Sequence, residues 1–166
     1  MREPLKDKVR LEHILDAIDL ILKSTEGDSA LQLEGNKILF YGIVKNIEII
    51  GEAAYRLSKA FRNQHPETEW NDITRMRNIL VHDYYQIKTD EIWKVVKENL
   101  QPLREQVVRY LAETDWAKWE GNPVVVAETA VHKNLVQTAK RMKKDGMDAK
   151  LISRYTGLTA EEIDSL

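Results

Sequence analysis

Apolar residues recur along this chain at steps of three and four, the period of helices with one buried face. Over 4–23 the stripe is Leu11, Ile14, Leu15, Ile18, Ile21 and Leu22. A polar break around Gly27 precedes a longer helix predicted over 36–62, with Leu39, Ile43, Ile47, Ile50, Ala54, Leu57 and Phe61 on one side. Gly42 and Gly51 lie inside it. Each costs about 1 kcal/mol against alanine, and close approach of another backbone at both positions is the expected compensation. Pro66, in "HPETEW", ends the pattern. A third helix is predicted from Asn71 or Asp72, either of which can cap it, through Ile73, Met76, Ile79 and Leu80 to His82. A fourth starts near Thr89 or Asp90 and carries Ile92, Val96, Leu100, Leu103, Val107 and Leu111, with a kink expected at Pro102. Such helices with short connections predict an all-α antiparallel bundle of about four to five helices over 1–115.

The composition shifts at "DWAKWEGNPVVV". Gly121, Asn122 and Pro123 punctuate the chain, a fifth helix is predicted through Lys144, and two short helices flank Thr156 and Gly157. This 121–166 segment reads as a helical extension, with Thr159 and Glu162 forming a capping box for its last helix.

A hydrophobic share of 43% and a charged share of 31% fit a globular protein. The absence of cysteine excludes disulfides and thiolate metal sites and suits a reducing cytoplasm. No apolar run is long enough for a membrane span, and no secretory signal is visible at the start. The net charge of -2 means that any binding of nucleic acid needs a local basic patch.

Chemistry concentrates in "RMRNILVHDYYQI", 75–87. On an ideal helix Arg77 and His82 stand about 140° apart. They converge only if the helix ends near Val81 or if a second copy of the chain supplies the missing group. A two-fold dimer would place two arginines and two histidines in one cleft. An imidazole exchanges protons near neutral pH, and a guanidinium fork stabilises charge on a phosphoryl oxygen. Together they suit RNA cleavage by the neighbouring 2′-hydroxyl, without a metal or other cofactor. His82 and Asp83 are too few and too poorly spaced for a metal site. A solvated helix end is the bland alternative.

The sequence resembles the HEPN superfamily and, within it, the HepT-like toxins, whose motif is Arg, four residues, His, any residue, Tyr. Arg77, His82 and Tyr84 match that motif without a gap. "IIGEAAYRLS" (49–58), "HPETEW" (65–70) and "DEIWKVV" (90–96) extend the likeness over about 5–112. The resemblance implies a dimeric helical bundle and a metal-independent endoribonuclease, acting on RNA such as transfer RNA, as the toxin of a type VII-like toxin–antitoxin pair. Its implied partner is a minimal nucleotidyltransferase antitoxin that adenylylates Tyr84, with Tyr85 as the second choice. Arg77 and His82 are then the catalytic pair, and Asn78 orients them or the RNA phosphate. A bulky anion on Tyr84 would repel RNA. The alternative is a non-catalytic HEPN module binding RNA or such a partner. This chain lacks the Gly-Ser and paired-aspartate pattern of the modifying enzyme itself.

Glu52 is expected to serve structure, pairing with an arginine, and Trp70 and Trp93 to anchor the core or a dimer interface. His65 reads as a loop residue, and His13 and His132 as isolated helix positions. The tail resembles the short helical tail of some transposase-like nucleases, on Asp145-Gly146-Met147, Ile152, Tyr155 to Thr159 and Glu161 to Ile163. Lys133, Lys140, Arg141, Lys143, Lys144, Lys150 and Arg154 outnumber Asp145 and Asp148 there. The helix after its turn carries Glu161, Glu162 and Asp164 and no Arg or Lys, which argues against reading DNA bases. Packing or partner contact is expected, with the basic helix as an auxiliary RNA surface.

Overall fold

Leu11, Ile14, Ala17, Ile18 and Ile21 form the buried face of α1, Asp7–Ser24, the first helix of a computed structural model that describes residues 7–82 and 87–166. All regular structure among the described residues is helical. The chain divides into two compact units, a bundle ending at Trp116 and a C-terminal unit from Ala117.

In the bundle, α2 (Ala30–Gly35) is a short helix that apolar periodicity does not reveal, because six residues are too few to show it. Ser29 and Gln32 make a capping box at its start. α3 is Lys37–Tyr55, and Asn36 accepts the Leu39 N–H at 3.1 Å. The predicted helix 36–62 is therefore two helices: α3 stops, and α4, Lys59–Gln64, begins behind Ser58. The cause is tertiary. The buried Asp7 carboxylate accepts the Ser58 N–H and hydroxyl, both at 2.7 Å, while Ser58 Oγ accepts the Phe61 N–H at 3.0 Å. Asp7→Ala strands two buried donors and should lower unfolding stability by about 2 kcal/mol, read as a shift in denaturant midpoint. Asp7→Asn, which keeps an acceptor, should lose less.

α5 spans Trp70–His82. It starts ahead of Asn71 and Asp72, since the Ile73 N–H already bonds the Glu69 carbonyl at 3.1 Å. α6 (Thr89–Lys94) starts at Thr89, as expected, with Lys88 at its N-cap position. It passes through a π-helical segment, Val95–Asn99, into α7, Leu100–Glu113. The Leu100 N–H reaches the Val95 carbonyl. This wide turn lies upstream of Pro102, where the kink is expected; Pro102 has no N–H to give and sits in the first turn of α7.

α3 packs on α1 and α5, and α1 also packs on α7. Ile43, Ile47 and Ile50 of α3, Leu80 of α5, and Leu103 and Val107 of α7 join the α1 face in the core. "HPETEW" finishes one end of it. Trp70 is buried and its indole N–H donates to the His65 carbonyl at 2.9 Å. The His65 ring follows α4 and lies 4.0 Å from the Tyr110 ring centre. Tyr110 Oη stands 2.6 Å from Thr68 Oγ1 and donates to Glu67 at 2.9 Å. Burial lowers the His65 pKa, against the pull of Glu67, and burial raises that of Tyr110. The motif serves packing.

The C-terminal unit contains most of α8 (Trp116–Glu120), α9 (Pro123–Lys144), α10 (Ala149–Thr156) and α11 (Ala160–Asp164). Asn122 caps α9 and Asp148 caps α10. Gly146 and Gly157 make the two turns with φ of 79° and 70°, a left-handed backbone that glycine adopts without penalty. Thr159 and Glu162 form the expected capping box. Ala139, Ile152, Leu158 and Ile163 make a small core. His132 is not isolated: its Nε2 stands 4.0 Å from Glu162. Among the described residues no helix is long and apolar enough to cross a membrane.

Candidate active site on the fifth helix

Arg77 sits where α5 crosses α3, and Gly51 permits the approach. A Cβ on Gly51 would lie 2.3 Å from Arg77 Cβ and 3.1 Å from the Ile73 carbonyl oxygen. Gly42 has no such neighbour within 4 Å, so the expected close approach occurs at one glycine and not the other. Gly42 instead offers its carbonyl to the Asn46 amide at 2.8 Å.

One residue after Gly51, Glu52 holds two arginines. One carboxylate oxygen takes the Arg56 Nε–H, one helical turn along α3. The other is 3.2 Å from Arg77 Nη2, a charge contact between α3 and α5. The Arg77 side chain is only 12% exposed, so this pairing is poorly screened by solvent. The expected arginine partner of Glu52 is thus present, and it is the motif arginine itself. The i,i+4 spacing of Glu52 and Arg56 was readable as a pair; the link to Arg77 was not.

Arg77 Nη1 donates to Asn78 Oδ1 at 3.1 Å. Position 78 lies about 100° round the helix from 77 and about 40° from 82. The guanidinium is therefore held between Glu52, through Nη2, and Asn78, through Nη1, the latter on the side of the helix nearer position 82. Asn78 and Ile79 are exposed there. α5 is helical through His82, the last residue of this helix that the structure describes, and over that span positions 77 and 82 stand about 140° apart around the axis. The His82 side chain, Asp83, Tyr84 and Tyr85 lie outside what the structure describes. Among the described residues no group of three His, Asp or Glu could hold a metal ion.

Glu52, Arg77 and His82 lie within the stretch of the chain that matches a family model. Residues 14–110, more than half of the chain and including this whole arrangement, match the model described as "Ribonuclease HepT-like". The chain belongs to the HepT-like family. A protein of Methanocaldococcus jannaschii, whose name joins a gamma-glutamylcyclotransferase to a provisionally named RNase, is 32% identical over 65% of this chain. That match spans only 49% of the longer relative. A protein of Caldanaerobacter subterraneus subsp. tengcongensis, provisionally named an RNase, is 33% identical over 61% of this chain and 90% of its own length. A protein of Thermococcus cleftensis named as a probable ribonuclease HepT is 34% identical over 57% of this chain and 86% of its own. No solved structure matches the chain significantly. The HepT-like match stops before α8, and the C-terminal unit lies beyond it.

Proposed function

We propose that this HepT-like chain is a metal-independent endoribonuclease in which Arg77 and His82 act on one phosphodiester. The observation that carries the reading is the guanidinium held between Glu52 and Asn78, the latter on the side of α5 nearer position 82. In the reaction His82 takes the proton of the 2′-hydroxyl. The 2′-oxygen forms a bond to phosphorus, the bond to the 5′-oxygen breaks, and an acid returns a proton to that oxygen. Arg77 stabilises the charge that builds on the non-bridging oxygens. The products are a 2′,3′-cyclic phosphate and a 5′-hydroxyl.

One histidine cannot be base and acid in the same step, which favours a two-fold homodimer supplying the second. Ile79, 43% exposed on the same side of α5 as Asn78 and position 82, is an apolar residue such a second copy would cover. The natural role follows from the resemblance: a toxin acting in the cytoplasm on RNA such as transfer RNA. A nucleotidyltransferase antitoxin silences it by adenylylating Tyr84, or less favourably Tyr85. The second reading, a non-catalytic module binding RNA or that partner, draws on Glu52, which neutralises part of the Arg77 charge.

The test is purified protein incubated with transfer RNA in excess chelator. Fragments ending in a cyclic phosphate are expected; intact RNA held in a complex would favour the module. Added nucleotidyltransferase and ATP should attach AMP to the parent protein and stop cleavage. Loss of that mass shift in Tyr84→Phe would place the modification, whereas its persistence would move it to another residue.

A further inference from the structure

Basic side chains of α9 gather on one side of the helix. Counting round α9 from Lys133, Lys140, Arg141 and Lys144 fall within an arc of about 100°. All four are exposed, and none makes an ion pair among the described residues. The stripe runs about 16 Å along the helix. The buried Ala139 lies on another side. Lys143, on that packed side, is used internally: its Nζ donates to the Ile163 and Asp164 carbonyls at 2.8 and 3.0 Å. Glu162 is likewise taken up by its capping box and by His132.

Arginines of the bundle behave otherwise. Arg56 and Arg77 share Glu52, Arg104 pairs with Asp19, and Arg109 with Glu67. Attraction of cations to a helix C-terminus accounts for Arg141 and Lys144, but it fades beyond the last turn and does not reach Lys133. Like charges at i,i+4, as at Lys140 and Lys144, weaken a bare helix. A bound polyanion would reverse that cost. α10 adds a second exposed set: Lys150 and Arg154, one turn apart and without ion pairs among the described residues, beside Tyr155, which is 68% exposed. A bare aromatic ring among cations is what stacking on an unpaired base requires.

We infer that the C-terminal unit is a binding surface for single-stranded RNA: α9 contacts phosphates through Lys133, Lys140, Arg141 and Lys144, and Tyr155 stacks on a base. The choice of RNA rests on the ribonuclease reading. The acidic α11 offers nothing to read base edges, so the binding is not sequence-specific.

The experiment uses the full chain, a fluorescent single-stranded RNA and excess chelator, with affinity read by anisotropy over a range of salt. A quadruple variant, Lys133→Gln, Lys140→Gln, Arg141→Gln and Lys144→Gln, should bind at least about tenfold more weakly. Its plot of log affinity against log salt should flatten by roughly 3. The pair Lys133→Gln and Lys140→Gln, outside the last turn, should give about half that flattening. Tyr155→Ala should weaken binding by about fivefold or more and Tyr155→Phe should not. Quadruple-variant binding within twofold of the parent, an unchanged salt slope, or tighter binding of duplex DNA than of RNA overturns the inference. Equal binding by Tyr155→Ala overturns the stacking role. His82→Ala separates the two readings, since it should lose cleavage and keep this binding. If the parent also fails to cut yet binds through α9, the nuclease reading falls alone.

Discussion

His82→Ala lowers RNA cleavage by about 100-fold or more, with the helical circular dichroism and the denaturant midpoint little changed. A positioned general base or acid contributes roughly 10²–10⁴, and alanine leaves no group to take the 2′-hydroxyl proton. Alanine is a better helix former than histidine, so the backbone of α5 tolerates the change. Arg77→Lys should be nearly as damaging. An ammonium keeps the charge but loses the planar fork that can meet two phosphate oxygens, and it cannot match both the Glu52 and Asn78 contacts. Cleavage by His82→Ala within threefold of the parent would remove the histidine from the mechanism. Unaltered cleavage by Arg77→Lys would leave the arginine as a charge only.

Gly51→Ala and Gly42→Ala are expected to move stability in opposite directions. Both replace a glycine inside α3, and both recover about 1 kcal/mol of helix propensity. At Gly42 nothing stands within 4 Å, so that gain is kept. At Gly51 the new methyl meets Arg77 Cβ at 2.3 Å and the Ile73 carbonyl oxygen at 3.1 Å. Neither is the loose end of a flexible chain, so α3 and α5 must part. Overpacking of this kind costs about 1–3 kcal/mol, and displacing Arg77 by an ångström could cost about 100-fold in rate. Urea titrations of the two variants, each paired with a cleavage assay, measure both effects. Equal stabilisation by the two alanines would mean that the helices do not meet at Gly51.

The two glycines also show where reading the chain as a string stops working. Both looked alike, interrupting one apolar stripe, and only one of them faces a neighbour. Glu52 was readable as an arginine partner through its spacing to Arg56. That it also holds Arg77 depends on residues 25 positions apart being brought together. The long predicted helix over 36–62 failed at Ser58, where the deciding carboxylate lies 51 residues earlier, at Asp7. Pro102 was visible as a disturbance, but the π-helical segment lies upstream of it, in Val95–Asn99.

Taken alone, the order of residues determined the helical class, most element boundaries, the capping box at Thr159 and the motif that carries the family likeness. These depend on side chains within a turn or two of each other, whose interactions hold whatever surrounds them. The tertiary structure decided which glycine is indispensable, where α3 stops, what fixes Arg77, and which lysines of α9 are left to solvent. Each of those turns on which helix lies beside which, and packing of distant segments leaves no periodic mark in the local sequence.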